Sequence, residues 1–123
     1  MLLAALASVV IASCYDGDTC TTTNGERVRL ACIDTPEMKA STHLRPTSTH
    51  SATYDNTGAI ESRDYLRQQV AGKRVSIRRI TTDRYGRTIA ELMVDDINVG
   101  QEMVKRGHAE LYRKYTKQCD WSR

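Results

Sequence analysis

The sequence has no phenylalanine and a single tryptophan, so aliphatic side chains must fill most of any core it builds. Its uncharged opening stretch, the fourteen residues MLLAALASVVIASC, falls short of the roughly 20 apolar residues that a membrane-spanning helix needs. No membrane partner is expected on that ground. No lysine or arginine precedes the stretch, as one would in a standard export signal. The four cysteines, Cys14, Cys20, Cys32 and Cys119, include no CxxC pair, which leaves a structural zinc site without support. No internal repeat is present, and the net charge of +3 is too mild to name a partner by itself.

What is present suits one domain. With 123 residues, 40% of them apolar and 27% charged, the chain has an ordinary globular composition and enough length for one modest core. Residues 1–7 read either as a signal-peptide remnant, with Ala5-Leu6-Ala7 as a small-residue cleavage site, or as the lead into a first strand through Val9, Val10 and Ile11. Both hold if cleavage follows Ala7, which leaves a single domain over residues 8–123. Ile11-Ala12-Ser13-Cys14 also resembles a lipoprotein cleavage box, but cutting there would remove much of the strand. A signal would make the protein secreted or periplasmic, and a cytoplasmic location stays open. The even cysteine set permits three pairings; disulfides and buried thiols are both open readings. Between Arg63 and Arg87, eight Lys or Arg stand against two Asp, a clustering that favours a polyanionic partner.

Residues 9–34 read as a meander of three strands. Val9 to Tyr15 ends at the turn Asp16-Gly17-Asp18, and Cys20 to Thr23 leads into Asn24-Gly25, a strong hairpin signal. Val28, Leu30 and Cys32 then alternate with Arg27, Arg29 and Ala31 in a third strand, which Thr35-Pro36 stops. Met38 to Asn56 is Ser/Thr-rich and reads as a long exposed loop, with His43 and His50 as loop histidines rather than metal ligands. A helix is expected from Thr57 or Gly58 to Val70, with Ala59, Ser62, Leu66 and Val70 on one face and Ala71-Gly72 as its stop. Strands over Val75–Ile80 and Thr88–Val94 flank the turn Asp83-Arg84-Tyr85-Gly86-Arg87. A second helix starts at an Asn98 cap and stops at Gly107. The tail from His108 is basic and aromatic, with no clear period. The order βββ-α-ββ-α implies a mainly β protein with helices (α+β), a five-stranded OB-fold barrel.

Three clusters carry chemistry: Asp16-Gly17-Asp18-Thr19, Arg29 through Asp34-Thr35-Pro36-Glu37, and Asp83 through Arg87. In an antiparallel meander the start of the second strand lies beside the end of the third, so Asp18 and Asp34 would meet at one rim. Neighbouring carboxylates repel unless something positive sits between them, and a hard cation with oxygen ligands resolves the conflict. Arg29 lies five residues before Asp34, which on a continuous strand points the two to opposite faces unless twist or the strand's end reorients one. A cation, a water-activating carboxylate and two arginines are the parts needed for phosphodiester hydrolysis.

The three motifs, in this order, resemble those of the thermonucleases, the staphylococcal-nuclease-like domains. The resemblance runs from about Val9 to Tyr115, through Val28-Arg29-Leu30 and Ile33-Asp34, with weaker matches at Asn98-Val99 and at Gly107 and Ala109 before a tyrosine-rich stretch. It implies Ca²⁺ held by the carboxylates of Asp18 and Asp34 and the carbonyl of Thr35. It assigns the attacking water to Glu37, and the phosphate to Arg29 and Arg87. Arg84, Tyr85 and Tyr115 would meet the nucleotide. DNA and RNA, single-stranded by preference, would be cut to 3′-phosphate products by a monomeric enzyme. Arg113 stands where a second pocket tyrosine is expected, with Tyr112 adjacent, and the 38–56 loop lacks the usual lysines. The alternative is a catalytically weak nucleic-acid-binding OB module; the complete set of Asp18, Arg29, Asp34, Glu37 and Arg87 favours the enzyme.

Overall fold

The computed structural model describes residues 6–38 and 57–122. The first five residues and the stretch 39–56, with the expectations placed on them (most of the signal remnant, the long loop, His43 and His50), lie outside the described residues. Strand β1 (Ala7–Asp16) pairs antiparallel with β2 (Thr19–Thr22), and β2 with β3 (Arg27–Leu30). Gly25, at φ 87°, takes the left-handed position of the hairpin between β2 and β3. A two-residue strand β4 (Ile33–Asp34) follows. Helix α1 spans Thr57–Val70 and buries Ala59, Ser62, Leu66 and Val70, the face its helical spacing predicts.

Strands β5 (Arg74–Thr82) and β6 (Thr88–Val94) form the second hairpin, and β5 also pairs with β1. The ring closes where β3 runs parallel to β6, with Val28 opposite Thr88 and Leu30 opposite Ala90. Strands β1, β2, β3, β5 and β6 thus make a closed five-stranded barrel of OB type. A short β7 (Ile97–Asn98) extends β6 through Asp95 and Asp96, both at positive φ. Helix α2 (Val99–Lys105) is capped by the Asn98 side chain, which accepts from the Gln101 N–H at 3.0 Å. Ile11, Val28, Leu30, Leu66, Val75, Ile77, Leu92, Val99 and Met103 fill the core, an aliphatic filling as the lack of phenylalanine requires.

One expectation is corrected. The third strand does not run to Cys32: it ends at Leu30, and Cys32 turns the chain at φ 72° before β4 begins. The in/out alternation stops there, since Ala31 and Cys32 are both buried, against the tail rather than in the barrel core. The tail, which shows no period in the sequence, is nonetheless ordered over the described residues. Strand β8 (Glu110–Leu111) pairs with β4, and 3₁₀ turns follow over Arg113–Gln118 and Asp120–Ser122. Non-local bonds hold it, and those leave no period in the sequence. The cysteines pair as Cys14–Cys20, across β1 and β2, and as Cys32–Cys119, from the break to the tail.

Candidate active site

The site forms where three chain turns meet at one rim of the barrel. Asp18 sits just before β2, in a turn that its own N–H closes by donating to Asp16 Oδ1 at 3.1 Å. Gly17 lets this turn pack tightly, since a Cβ there would lie 2.7 Å from the Ser62 Cβ of α1 and 3.0 Å from the Thr35 side chain. The buried Asp18 carboxylate accepts the Thr35 N–H at 3.2 Å and the Thr19 hydroxyl at 3.1 Å. Burial pushes its pKa up from 3.8 to about 6, against the attraction of Arg29 and with a further push from Asp16.

The break at Cys32 settles the facing of Arg29 and Asp34. With two residues spent in a turn, the five-residue spacing no longer sends them to opposite faces. Arg29 Nη2 lies 3.4 Å from Asp18 Oδ2 and 3.6 Å from Asp34 Oδ1, so the guanidinium stands between the two carboxylates. Its Nη1 donates to the carbonyls of Leu30 and Ile33 at 2.6 and 2.9 Å, which fixes the turn itself. Asp34 is 56% exposed at its side chain, against 8% for Asp18, so one carboxylate faces solvent and the other is sunk.

The hairpin between β5 and β6 supplies the opposite side. Asp83 accepts the N–H groups of Tyr85 and Arg87, both at 2.9 Å, and the Arg87 Nε at 2.7 Å. Although burial works the other way, these bonds hold the Asp83 carboxyl below its ordinary value. Arg87 keeps both Nη groups without a hydrogen bond among the described residues. The Arg84 and Arg87 guanidinium carbons lie 4.9 and 5.5 Å from the centre of the Tyr85 ring, which is 57% exposed. Arg27 donates to the Tyr85 carbonyl and ties the turn to β3.

One cavity of about 690 Å³ joins these groups. Asp18, Arg29, Asp34, Glu37, Arg84, Tyr85, Arg87 and Tyr115 all line it. Glu37 is exposed there. Thr35 is not among the lining residues. It is buried behind Asp18, and its Oγ1 has no hydrogen-bond partner among the described residues. Sequence reasoning placed no role on Tyr112, Lys114 or Gln118, which also line the cavity. Arg113 does not. Tyr112, three residues before Tyr115, brings the second ring, with ring centroids 5.2 Å apart. Its signal was the tyrosine beside the expected position, obscured because the 3₁₀ turn shifts which residue faces inward.

The donor set suits a hard cation: two carboxylates, one of them buried and reluctant to ionise alone, beside an orphaned buried hydroxyl. Among the described residues no three Asp, Glu, His or Cys side chains gather as a ready cage, so backbone carbonyls or waters would complete the shell.

Comparison with known proteins identifies the family. The family model described as "Staphylococcal nuclease homologue" matches residues 27–122. An uncharacterized endonuclease of Escherichia coli is 34% identical over 104 residues, covering 81% of this chain and 58% of its own length. One of Haemophilus influenzae is 34% identical over 105 residues, covering 82% of this chain and 50% of its own. A probable staphylococcal-like nuclease of Oryza sativa subsp. japonica is 28% identical over 117 residues, 95% of this chain and 26% of the rice protein. The chain therefore spans little more than half of the bacterial relatives and about a quarter of the plant one. From the barrel, the rim and the match over residues 27–122, the chain belongs to the staphylococcal nuclease homologue family.

Proposed function

We propose that the protein is a calcium-dependent nuclease that hydrolyses the phosphodiester bonds of DNA and RNA and leaves 3′-phosphate ends. The observation that carries this reading is one cavity on which four aspartates, an exposed glutamate, three arginines and three tyrosines converge from separate segments. Relatives named as endonucleases or nucleases support it.

Asp18 and Asp34, with the Thr35 carbonyl, would hold Ca²⁺. When bound, the ion supplies Lewis-acid polarisation of a phosphate oxygen and offsets the charge of the buried Asp18. Arg87 is suited to gripping the phosphate, since Asp83 fixes its Nε side and leaves the Nη groups to donate. Arg29 sits between the acidic groups and would neutralise charge that builds on the phosphate in the transition state. Glu37, exposed in the cavity, is the candidate to take the proton of the attacking water. Tyr85, Tyr112 and Tyr115 offer faces for unpaired bases, and only unstacked bases reach such faces, so single strands should be preferred. The two disulfides fit an oxidising compartment, which supports a secreted or periplasmic location.

Incubation with single-stranded DNA and RNA, with Ca²⁺ or with chelator, tests the reading. Calcium-dependent cleavage whose products resist end-labelling at the 3′ side until a phosphatase is added is the expected result. Binding of both nucleic acids without cleavage at any pH would instead make the domain a binding module.

A further inference from the structure

The loop from Tyr112 to Cys119 carries one wall of the cavity, through Tyr112, Lys114, Tyr115 and Gln118. Burial does little to hold it: no residue of Arg113–Gln118 is buried. Both of its ends are fastened to one residue. At the start, the Tyr112 N–H donates to the Cys32 carbonyl at 2.8 Å, directly after β8 pairs with β4. At the end, Cys119 is bonded to the Cys32 sulfur. Between them the Cys32 sulfur lies 3.4 Å from the Tyr115 carbonyl oxygen.

The far side of the loop is clamped by a buried glutamate. Glu91 accepts from Trp121 Nε1 at 2.9 Å, Asn98 Nδ2 at 3.2 Å and Arg78 Nε at 2.7 Å, while Arg78 Nη2 donates to the Gln118 carbonyl at 2.7 Å. Cys32 and Cys119 pack with Ala31, Ile80, Ile89 and Trp121 in a small cluster separate from the main core. Trp121 packs against the main core as well, so the fastening is a satellite joined to the barrel packing through that ring. Cys32 also immediately precedes Ile33 and Asp34, so one left-handed residue joins the acidic rim to the aromatic wall.

We propose that Cys32 and Cys119 are positioning residues: their disulfide closes the 112–119 loop and presents Tyr112 and Tyr115 to the nucleic-acid chain. The proposal rests on the nuclease reading. Losing the bridge should weaken substrate binding while sparing the chemical step, since Asp18, Arg29, Asp34, Glu37 and Arg87 lie outside the 112–119 loop and Arg29 itself fixes the turn at Cys32 through the Leu30 and Ile33 carbonyls.

The test compares the wild type with Cys32→Ser/Cys119→Ser and with Leu66→Ala, which destabilises the main core without touching the tail. Steady-state hydrolysis of a single-stranded oligonucleotide, below the melting temperature of each variant, should show KM raised about tenfold for the cysteine variant, the loss of roughly one base stack. Its kcat should hold, and Leu66→Ala should keep the wild-type KM. Hydrogen exchange should show the Tyr112 and Tyr115 amides losing protection while those of β5 and β6 stay protected. An unchanged KM, a fall in kcat alone, or retained protection would overturn the proposal. If the double variant does not fold, Trp121→Phe removes the N–H that reaches Glu91 together with part of the indole packed on both clusters, and should raise KM in the same direction; no rise would count against the clasp. A wild type that cleaves nothing would sink the nuclease reading and the substrate role with it, while hydrogen exchange would still decide whether the bridge fixes the loop.

Discussion

Asp18 joins the proposed cation site to the stability of the fold. Its carboxyl is pushed up to about 6 from 3.8 by burial, so the protonated form is the one that the folded state prefers. A group raised in this way contributes stability that is intact below pH 4 and lost as the pH climbs through 6. In chelator, Asp18→Asn should therefore stabilise the protein at pH 8, by up to about 3 kcal/mol, and by far less at pH 4. Urea unfolding at the two pH values measures this; a destabilised Asp18→Asn at pH 8 would mean that Arg29, 3.4 Å away, outweighs the burial. Calcium should raise the melting temperature of the wild type at pH 8 and not that of Asp18→Asn, because the ion gains most where it meets an ionised carboxylate.

Among the elements, the Asp16–Asp18 turn is the least tolerant of change. Gly17→Ala places a methyl group 2.7 Å from the Ser62 Cβ, and neither that short side chain nor Thr35 can swing clear. It should cost about 2 kcal/mol by thermal or urea unfolding, and shift Asp18 relative to Asp34. Wild-type stability in this variant would show that the turn is less closely packed against α1 than the geometry requires. The elements with local signals were legible in the sequence: α1 through its buried face, β6 through its bounding turns, and α2 through the Asn98 cap. The break at Cys32 was not, because nothing short-range marks a non-glycine residue at φ 72°, and alternation ran on through it. Asp18, Arg29, Asp34, Glu37, Arg84 and Arg87 could be named by motif, yet the facing of Arg29 and Asp34 depended on that break: Arg29 reaches Asp34 only because the chain turns between them. Tyr112 escaped for the same reason, since 3₁₀ geometry and a covalent tie to Cys32 decide which tyrosine faces inward.

For the whole molecule, the two bridges should contribute unequally. Cys14–Cys20 spans a separation of 6 residues between paired strands, whereas Cys32–Cys119 spans 87 and encloses both helices and strands β5 and β6. Chain-entropy reasoning assigns about 2 kcal/mol to the first and between about 4 and 5 kcal/mol to the second. Unfolding of the two paired Cys→Ser variants should rank them in that order; the reverse order would show that the short bridge does more than restrict the unfolded chain. The barrel places residues distant in sequence, Asp18, Asp34 and Arg87, around one cavity, and the cavity is the basis for reading the protein as a nuclease. The most direct test is the initial rate of single-stranded DNA cleavage in saturating Ca²⁺ by wild type, Glu37→Gln and Arg87→Ala, each shown to be folded by circular dichroism. Rates at least about a hundredfold lower in both variants are predicted, from the loss of a general base and of a phosphate clamp. Full activity in either variant would contradict the assigned site.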